Sequence, residues 1–188
     1  MSWKILTLDN DAFTDACRLL EAKVVESGFY PDMVVSIRSG GMFVGNKMFT
    51  DIRHRSTLLQ RPSTAGKKRF VAAIVRNLPR FVQNSLRIVE ARVLGRKKAR
   101  RISGGDRPQI HIPFGPSERA RKILVVDDAV DSGYTLSHVL EAFKAVLPVG
   151  AEVRSAVITV TTDDPLVMPD FYLYNDKTLV RFPWAMDA

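Results

Sequence analysis

Two adjacent carboxylates, Asp127 and Asp128, end the apolar run Lys122-Ile123-Leu124-Val125-Val126, and Asp131-Ser132-Gly133-Tyr134-Thr135 follow shortly after. An acid pair at the end of a buried-type strand stands where α/β sheets bind ligands. Beyond it, Asp131 to Thr135 offers backbone N–H groups, a glycine that permits close approach, two hydroxyls and the start of a helical pattern. That combination makes a cradle for a phosphate. Carboxylates repel phosphate, so Asp127 and Asp128 suit ribose hydroxyls, or a hydrated Mg²⁺ shared with a pyrophosphate, because hard oxygens are that ion's usual protein ligands. One strand end therefore carries the groups to read both ends of a ribose 5-phosphate. The structural alternative is a helix N-cap by Asp131 or Ser132 with incidental acids upstream, but capping needs neither the acid pair nor Thr135.

These residues need a sheet and helices to hold them. Lys122 to Val126 reads as a buried strand, Tyr134 to Val146 has helical periodicity, and Ala151 to Thr161 is another β-rich run. Nearer the N-terminus, Asp11 to Ser27 places Ala12, Phe13, Ala16, Leu19, Leu20 and Val24 on one stripe of an amphipathic helix, with Asp9 or Asn10 as its cap. Met33-Val34-Val35-Ser36-Ile37 is a short β-branched run ended by Ser39-Gly40-Gly41, and Met42 to Phe49 restarts as a helix. Strands alternating with helices predict an α/β domain with a mostly parallel central sheet and right-handed crossovers. The whole chain, residues 1–188, reads as a single domain.

Residues 51–122 hold 19 of the 28 Lys and Arg but 4 of the 20 Asp and Glu, so this segment is +15 and the remainder −7 within a net charge of +8. Such a basic face attracts polyanions, whether phosphorylated substrates or nucleic acid. Within it, Phe70, Val71, Ile74, Val75, Leu78 and then Phe81, Val82, Leu86, Val89, Val93 recur at helical spacing around Pro79. A helical, basic insertion over 67–101 is expected, ending in Arg96-Lys97-Lys98-Ala99-Arg100-Arg101 and the loop-like Ser103-Gly104-Gly105, before a short strand Gln109 to Ile112. A single cysteine, Cys17, excludes an intrachain disulfide and a multi-cysteine zinc site, and its helical setting reads as a small buried side chain. No apolar run reaches the length that crosses a bilayer, and Met1-Ser2-Trp3-Lys4 lacks the flank of a leader, so a cytoplasmic protein without membrane contact is expected.

The acid pair after two apolar residues, followed by Asp131, Ser132, Gly133 and Thr135, resembles the phosphoribosyl pyrophosphate (PRPP) signature of the type I phosphoribosyltransferase family. Ser36-Ile37-Arg38-Ser39-Gly40-Gly41 looks like that family's pyrophosphate loop, although Ser39 separates the basic residue from the glycines where many members have them adjacent. Pro169-Asp170-Phe171-Tyr172 and Arg181-Phe182-Pro183-Trp184 resemble the hood of the purine enzymes, chiefly the xanthine–guanine and hypoxanthine types. Those enzymes usually carry a lysine at the end of the strand before the hood and an aromatic five residues before the Pro-Trp tryptophan. This chain has Val160-Thr161-Thr162-Asp163 and Leu179 instead.

The resemblance covers roughly residues 30–50 and 108–184 and implies a type I phosphoribosyltransferase-like fold with a small hood over about 163–188. It implies that Asp127 and Asp128 bind the PRPP ribose and Mg²⁺, and that Asp131, Ser132, Gly133, Tyr134 and Thr135 bind the 5-phosphate. Arg38, Ser39, Gly40 and Gly41 would bind pyrophosphate, Val130, Phe182 and Trp184 the base, and Asp131 would be the catalytic proton acceptor. The resemblance implies a reaction that joins a nucleobase, a purine by the hood segments, to PRPP with loss of pyrophosphate, in a homodimer. The competing reading is a PRPP- or nucleotide-sensing regulator that binds nucleic acid or a partner protein through residues 67–101.

Overall fold

Met33 to Ile37 and Ile123 to Val126 are apolar on both faces, a pattern that suits strands covered from two sides. The computed structural model describes residues 4–60, 109–115, 120–175 and 178–185, and it hydrogen-bonds these two runs to each other within the main sheet. The chain runs β1 (Lys4–Thr7), α1 (Asn10–Glu26), β2 (Met33–Ile37), α2 (Gly40–Gly45), β3 (Arg53–Thr57), β4 (Leu59–Gln60), β5 (Gln109–Ile110), β6 (Lys122–Val130), α3 (Tyr134–Val146), β7 (Glu152–Val160), β8 (Phe171–Tyr174) and β9 (Thr178–Arg181). Five strands form the main sheet in the order β3-β2-β6-β7-β8, and each of its pairings is parallel. β1 pairs in parallel with β9, and β4 pairs antiparallel with β5.

The period of two along each strand feeds two separate cores. On one face Val34, Leu124, Val126, Ala156 and Ile158 meet Phe13, Ala16, Leu20 and Val24 of α1. On the other, Val35, Ile37, Ile123, Val125 and Val157 meet Leu136, Val139, Leu140 and Phe143 of α3. Cys17 is fully buried beside α1's apolar stripe, and burial pushes its thiol up to about 12, which fits a packing residue.

Short-range polar contacts set the element ends. Asp9 rather than Asn10 caps α1, its Oδ1 accepting from the Ala12 N–H at 2.8 Å. Asp32 Oδ2 accepts from the Arg121 and Lys122 amides at 2.8 and 3.2 Å, fixing where β6 begins. Three boundaries differ from expectation, the first being the strand expected from Gln109 to Ile112, which ends at Ile110. β6 continues past Val126 to Val130 because β7 is long enough to keep pairing it, Asp127 opposite Val157 and Val130 opposite Val160. The helix expected from Met42 starts at Gly40 and ends at Gly45, so both glycines of the loop lie in its first turn. The helical insertion expected over 67–101, with its basic run and the following Ser-Gly-Gly loop, lies outside the described residues. Among the described residues, no helix is long and apolar enough to cross a membrane.

Candidate active site

β2 is followed by β3 on one side of the sheet, whereas β6 is followed by β7 on the other. The connections leaving the ends of β2 and β6 therefore diverge, and such a switch point opens a crevice at the carboxyl ends of the two strands. Because Ser36 pairs with Val126, the residues just after Ser36 and just after Val126 face each other there. The two sequence segments with chemistry, Arg38 to Gly41 and Asp127 to Thr135, are thus brought to one place by register alone.

The contact between them is tight. A Cβ at Gly40 would fall on the Asp128 carboxylate, and one at Gly41 would lie 2.5 Å from the Val126 carbonyl oxygen and 2.9 Å from Asp127 Cα. Only glycine lets the start of α2 rest on the acid pair. Arg38 is exposed, its peptide bond to Ser39 is cis, its amide donates to the Thr57 carbonyl at 2.9 Å, and its Nε donates to Ser56 Oγ at 3.2 Å.

Asp127 and Asp128 are half-buried within the last part of β6, and the Asp128 amide donates to Asp127 Oδ1 at 2.9 Å. Burial first, and then the adjacent Asp128 charge, pushes the Asp127 carboxyl well above the usual carboxylate range, and burial also raises Asp128. Two oxygen-donor groups that are disfavoured as bare anions fit a divalent cation or the hydroxyls of a sugar. Among the described residues no cluster of three or more metal-ligating side chains exists, so of these residues Asp127 and Asp128 are the ones that would hold a Mg²⁺ here.

Gly133 precedes α3 in the left-handed conformation, φ 73°, and no side chain caps the helix. The amide of Tyr134 is 3.4 Å from Ser132 Oγ, and Asp131 turns elsewhere, so neither residue acts as the cap that sequence alone would allow. The start of α3 is a helix N-terminus, which favours an anion through its dipole. Asp131 is exposed, and its Oδ1 accepts from Thr161 Oγ1 at 2.5 Å. A Cβ on Gly133 would lie 2.8 Å from the Val167 amide, and Leu166 N donates to the Ser132 carbonyl at 2.8 Å. The loop between β7 and β8 is therefore pinned onto the phosphate-type loop.

The three residues expected to face a base all have protein neighbours. Val130 is buried among the side chains under α3. Phe182 is buried and stacks on Trp184 with centroids 4.8 Å apart, and Trp184 also stacks on Phe43 at 4.3 Å and meets Phe13 edge-on at 4.9 Å. Phe43 belongs to α2, so this aromatic cluster ties the C-terminal segment to the helix that follows the pyrophosphate-type loop. Neither Phe43 nor Thr161 was marked by sequence spacing. Phe43 looks like an ordinary helix residue, and Thr161 looks like the last residue of a strand.

A parallel sheet with an acid pair and a helix start at its switch point makes this an α/β protein of the kind whose ligand crevice lies at the carboxyl ends of its strands. The phosphoribosyl transferase domain family matches residues 6–187, and the chain belongs to that family. No curated protein matches it. Among solved structures, a purine phosphoribosyltransferase of Pyrococcus horikoshii is 20% identical with a TM-score of 0.61, over 96% of this chain and 93% of that one. A xanthine-guanine-hypoxanthine phosphoribosyltransferase of Helicobacter pylori is 18% identical with a TM-score of 0.66, over 97% and 95% of the two chains. A hypothetical protein of Neisseria gonorrhoeae with bound ppGpp is 15% identical with a TM-score of 0.58, over 98% and 91%. At these identities the likeness is one of fold.

Proposed function

We propose that this phosphoribosyltransferase-family chain transfers the 5-phosphoribosyl group of PRPP to a purine base. The observation that carries this reading is the packing of Gly40 and Gly41 on Asp128 and Asp127, which sets a pyrophosphate-type loop against a ribose-type acid pair, close to an uncapped helix start. In the reaction, the C1–oxygen bond to pyrophosphate breaks with its electron pair leaving on oxygen, the unprotonated imidazole-ring nitrogen of the base bonds to C1 through its lone pair, and the proton on the other ring nitrogen, N7, passes to the Asp131 carboxylate. Asp127 and Asp128 hold the ribose hydroxyls, the segment Arg38 to Gly41 holds the departing pyrophosphate, and Ser132 to Thr135 with Asp131 anchor the 5-phosphate. A Mg²⁺ held at Asp127 and Asp128 would neutralise charge on the leaving group. Because little covalent work falls to the protein, positioning and electrostatics carry the rate. Trp184, Phe182 and Val130 are the residues proposed to bind the base. A cytoplasmic homodimer is the assembly proposed.

A second reading is a PRPP- or nucleotide-sensing regulator. A strand end, Val160-Thr161-Thr162-Asp163, without the lysine that purine enzymes usually carry, and Leu179 in place of an aromatic, favour it, as does a structural neighbour with bound ppGpp. Its basic segment would hold nucleic acid or a partner protein, and binding to random-sequence RNA would then weaken steeply with salt. The deciding experiment measures pyrophosphate release from PRPP and Mg²⁺ over hypoxanthine, guanine, xanthine, adenine, uracil and orotate, with PRPP binding followed calorimetrically. Release that depends on a purine is expected. PRPP binding without release for any base would establish the regulator, and release only with uracil or orotate would overturn the purine assignment.

A further inference from the structure

Thr161 follows the last residue of β7. Its amide donates to the Val130 carbonyl at 2.9 Å, which fixes its backbone directly against the residue before Asp131. Its hydroxyl lies 2.5 Å from Asp131 Oδ1 and 3.5 Å from the Val130 carbonyl oxygen. One hydroxyl proton serves one strong acceptor, and the shorter distance falls in the range of a hydroxyl donating to a carboxylate. Thr161 is 9% exposed whereas Asp131 is open to solvent, so the buried partner is the fixed one and the exposed partner is the one a ligand can reach. A β-branched side chain with few χ1 choices strengthens that asymmetry.

We infer that Thr161 is a positioning residue that holds Asp131 through Oδ1 and leaves Oδ2 aimed to take the proton from the incoming base. This rests on the reading of Asp131 as proton acceptor. It also means that the hydroxyl at this strand end is committed to the protein, so its proton is not available to a carbonyl of the base.

The test compares wild type with Thr161→Val, Thr161→Ser and Asp131→Asn, using kcat with the best base, PRPP affinity by calorimetry, and the carboxyl-carbon NMR signal of Asp131. Thr161→Val is expected to lower kcat about 10- to 100-fold, the scale of a misplaced catalytic group. PRPP affinity is expected to hold within about twofold, since Asp131 would meet the 5-phosphate through its backbone amide and only its side chain is released. Thr161→Ser, which keeps the hydroxyl, recovers most of the lost turnover and returns the Asp131 signal that Thr161→Val displaces. Thr161→Ala replaces the valine variant if the latter does not fold.

Wild-type kcat in Thr161→Val, or an equal loss in Thr161→Ser, overturns the inference while Asp131→Asn still loses turnover. Unchanged turnover in Asp131→Asn removes the proton-acceptor reading itself, and absence of wild-type turnover with every base removes both.

Discussion

Asp127 is held where ionising it is costly. Its folded-state carboxyl is raised above the ordinary value of about 3.9 that it has in the unfolded chain, by burial and then by Asp128. Between the two values the folded protein keeps a proton that the unfolded chain has lost, so the contribution of this carboxyl to stability is greatest below about pH 4 and falls as pH rises through that window. Asp127→Asn removes the penalty. Thermal melting of the free protein should therefore rise in this variant at neutral pH and match wild type near pH 4, while PRPP binding by calorimetry is lost. A melting temperature at pH 7 below that of wild type would contradict this account. The acid pair was legible in the sequence because two carboxylates have no packing reason to end a run of Ile, Leu and Val. Thr161 was not, since threonine is an ordinary strand residue and its partner lies 30 positions away.

At the scale of elements, the start of α3 joins two loops. Gly133 has a positive φ, and a side chain there would meet the Val167 backbone in the loop before β8. Gly133→Ala should cost on the order of 1–3 kcal/mol in denaturant unfolding, and should weaken PRPP binding because the amides of the first turn move with the loop. A neutral effect on both would show that the two loops relax independently.

The aromatic cluster poses the complementary question. Trp184 touches Phe13, Phe43 and Phe182, so Trp184→Ala should lower stability by about 2 kcal/mol or more. If Trp184 also faces the base, KM for the base rises more than KM for PRPP. Equal KM values with only a stability loss would make it a packing residue. Strand and helix positions were largely readable from period two and period three to four, as for β2 and α3. The end of β6 was not, because Asp127 and Asp128 interrupt its apolar run and β7 opposite them keeps the ladder going.

Over the whole molecule, charge is unevenly spread, +15 over residues 51–122 against −7 elsewhere. A field of this kind concentrates anionic ligands at low ionic strength and is screened within a Debye length of about 10 Å at 0.1 M salt. PRPP affinity should therefore fall several-fold between about 50 mM and about 300 mM salt, more than binding of an uncharged nucleoside does. A flat salt profile would confine the basic segment to roles other than ligand capture.

The sequence by itself determined the α/β class, most of the strands and helices, and the acidic and glycine segments with chemistry, because periodicity and residue type are local properties that the chain carries without its fold. Tertiary structure alone decided that Gly40 and Gly41 lie on the acid pair, that Asp131 is held by Thr161 instead of capping a helix, and that Phe43 packs on Trp184. Each of these depends on which strands are neighbours and in what register. Parallel strands are joined through crossovers, so their pairing brings together residues that no spacing along the chain reveals.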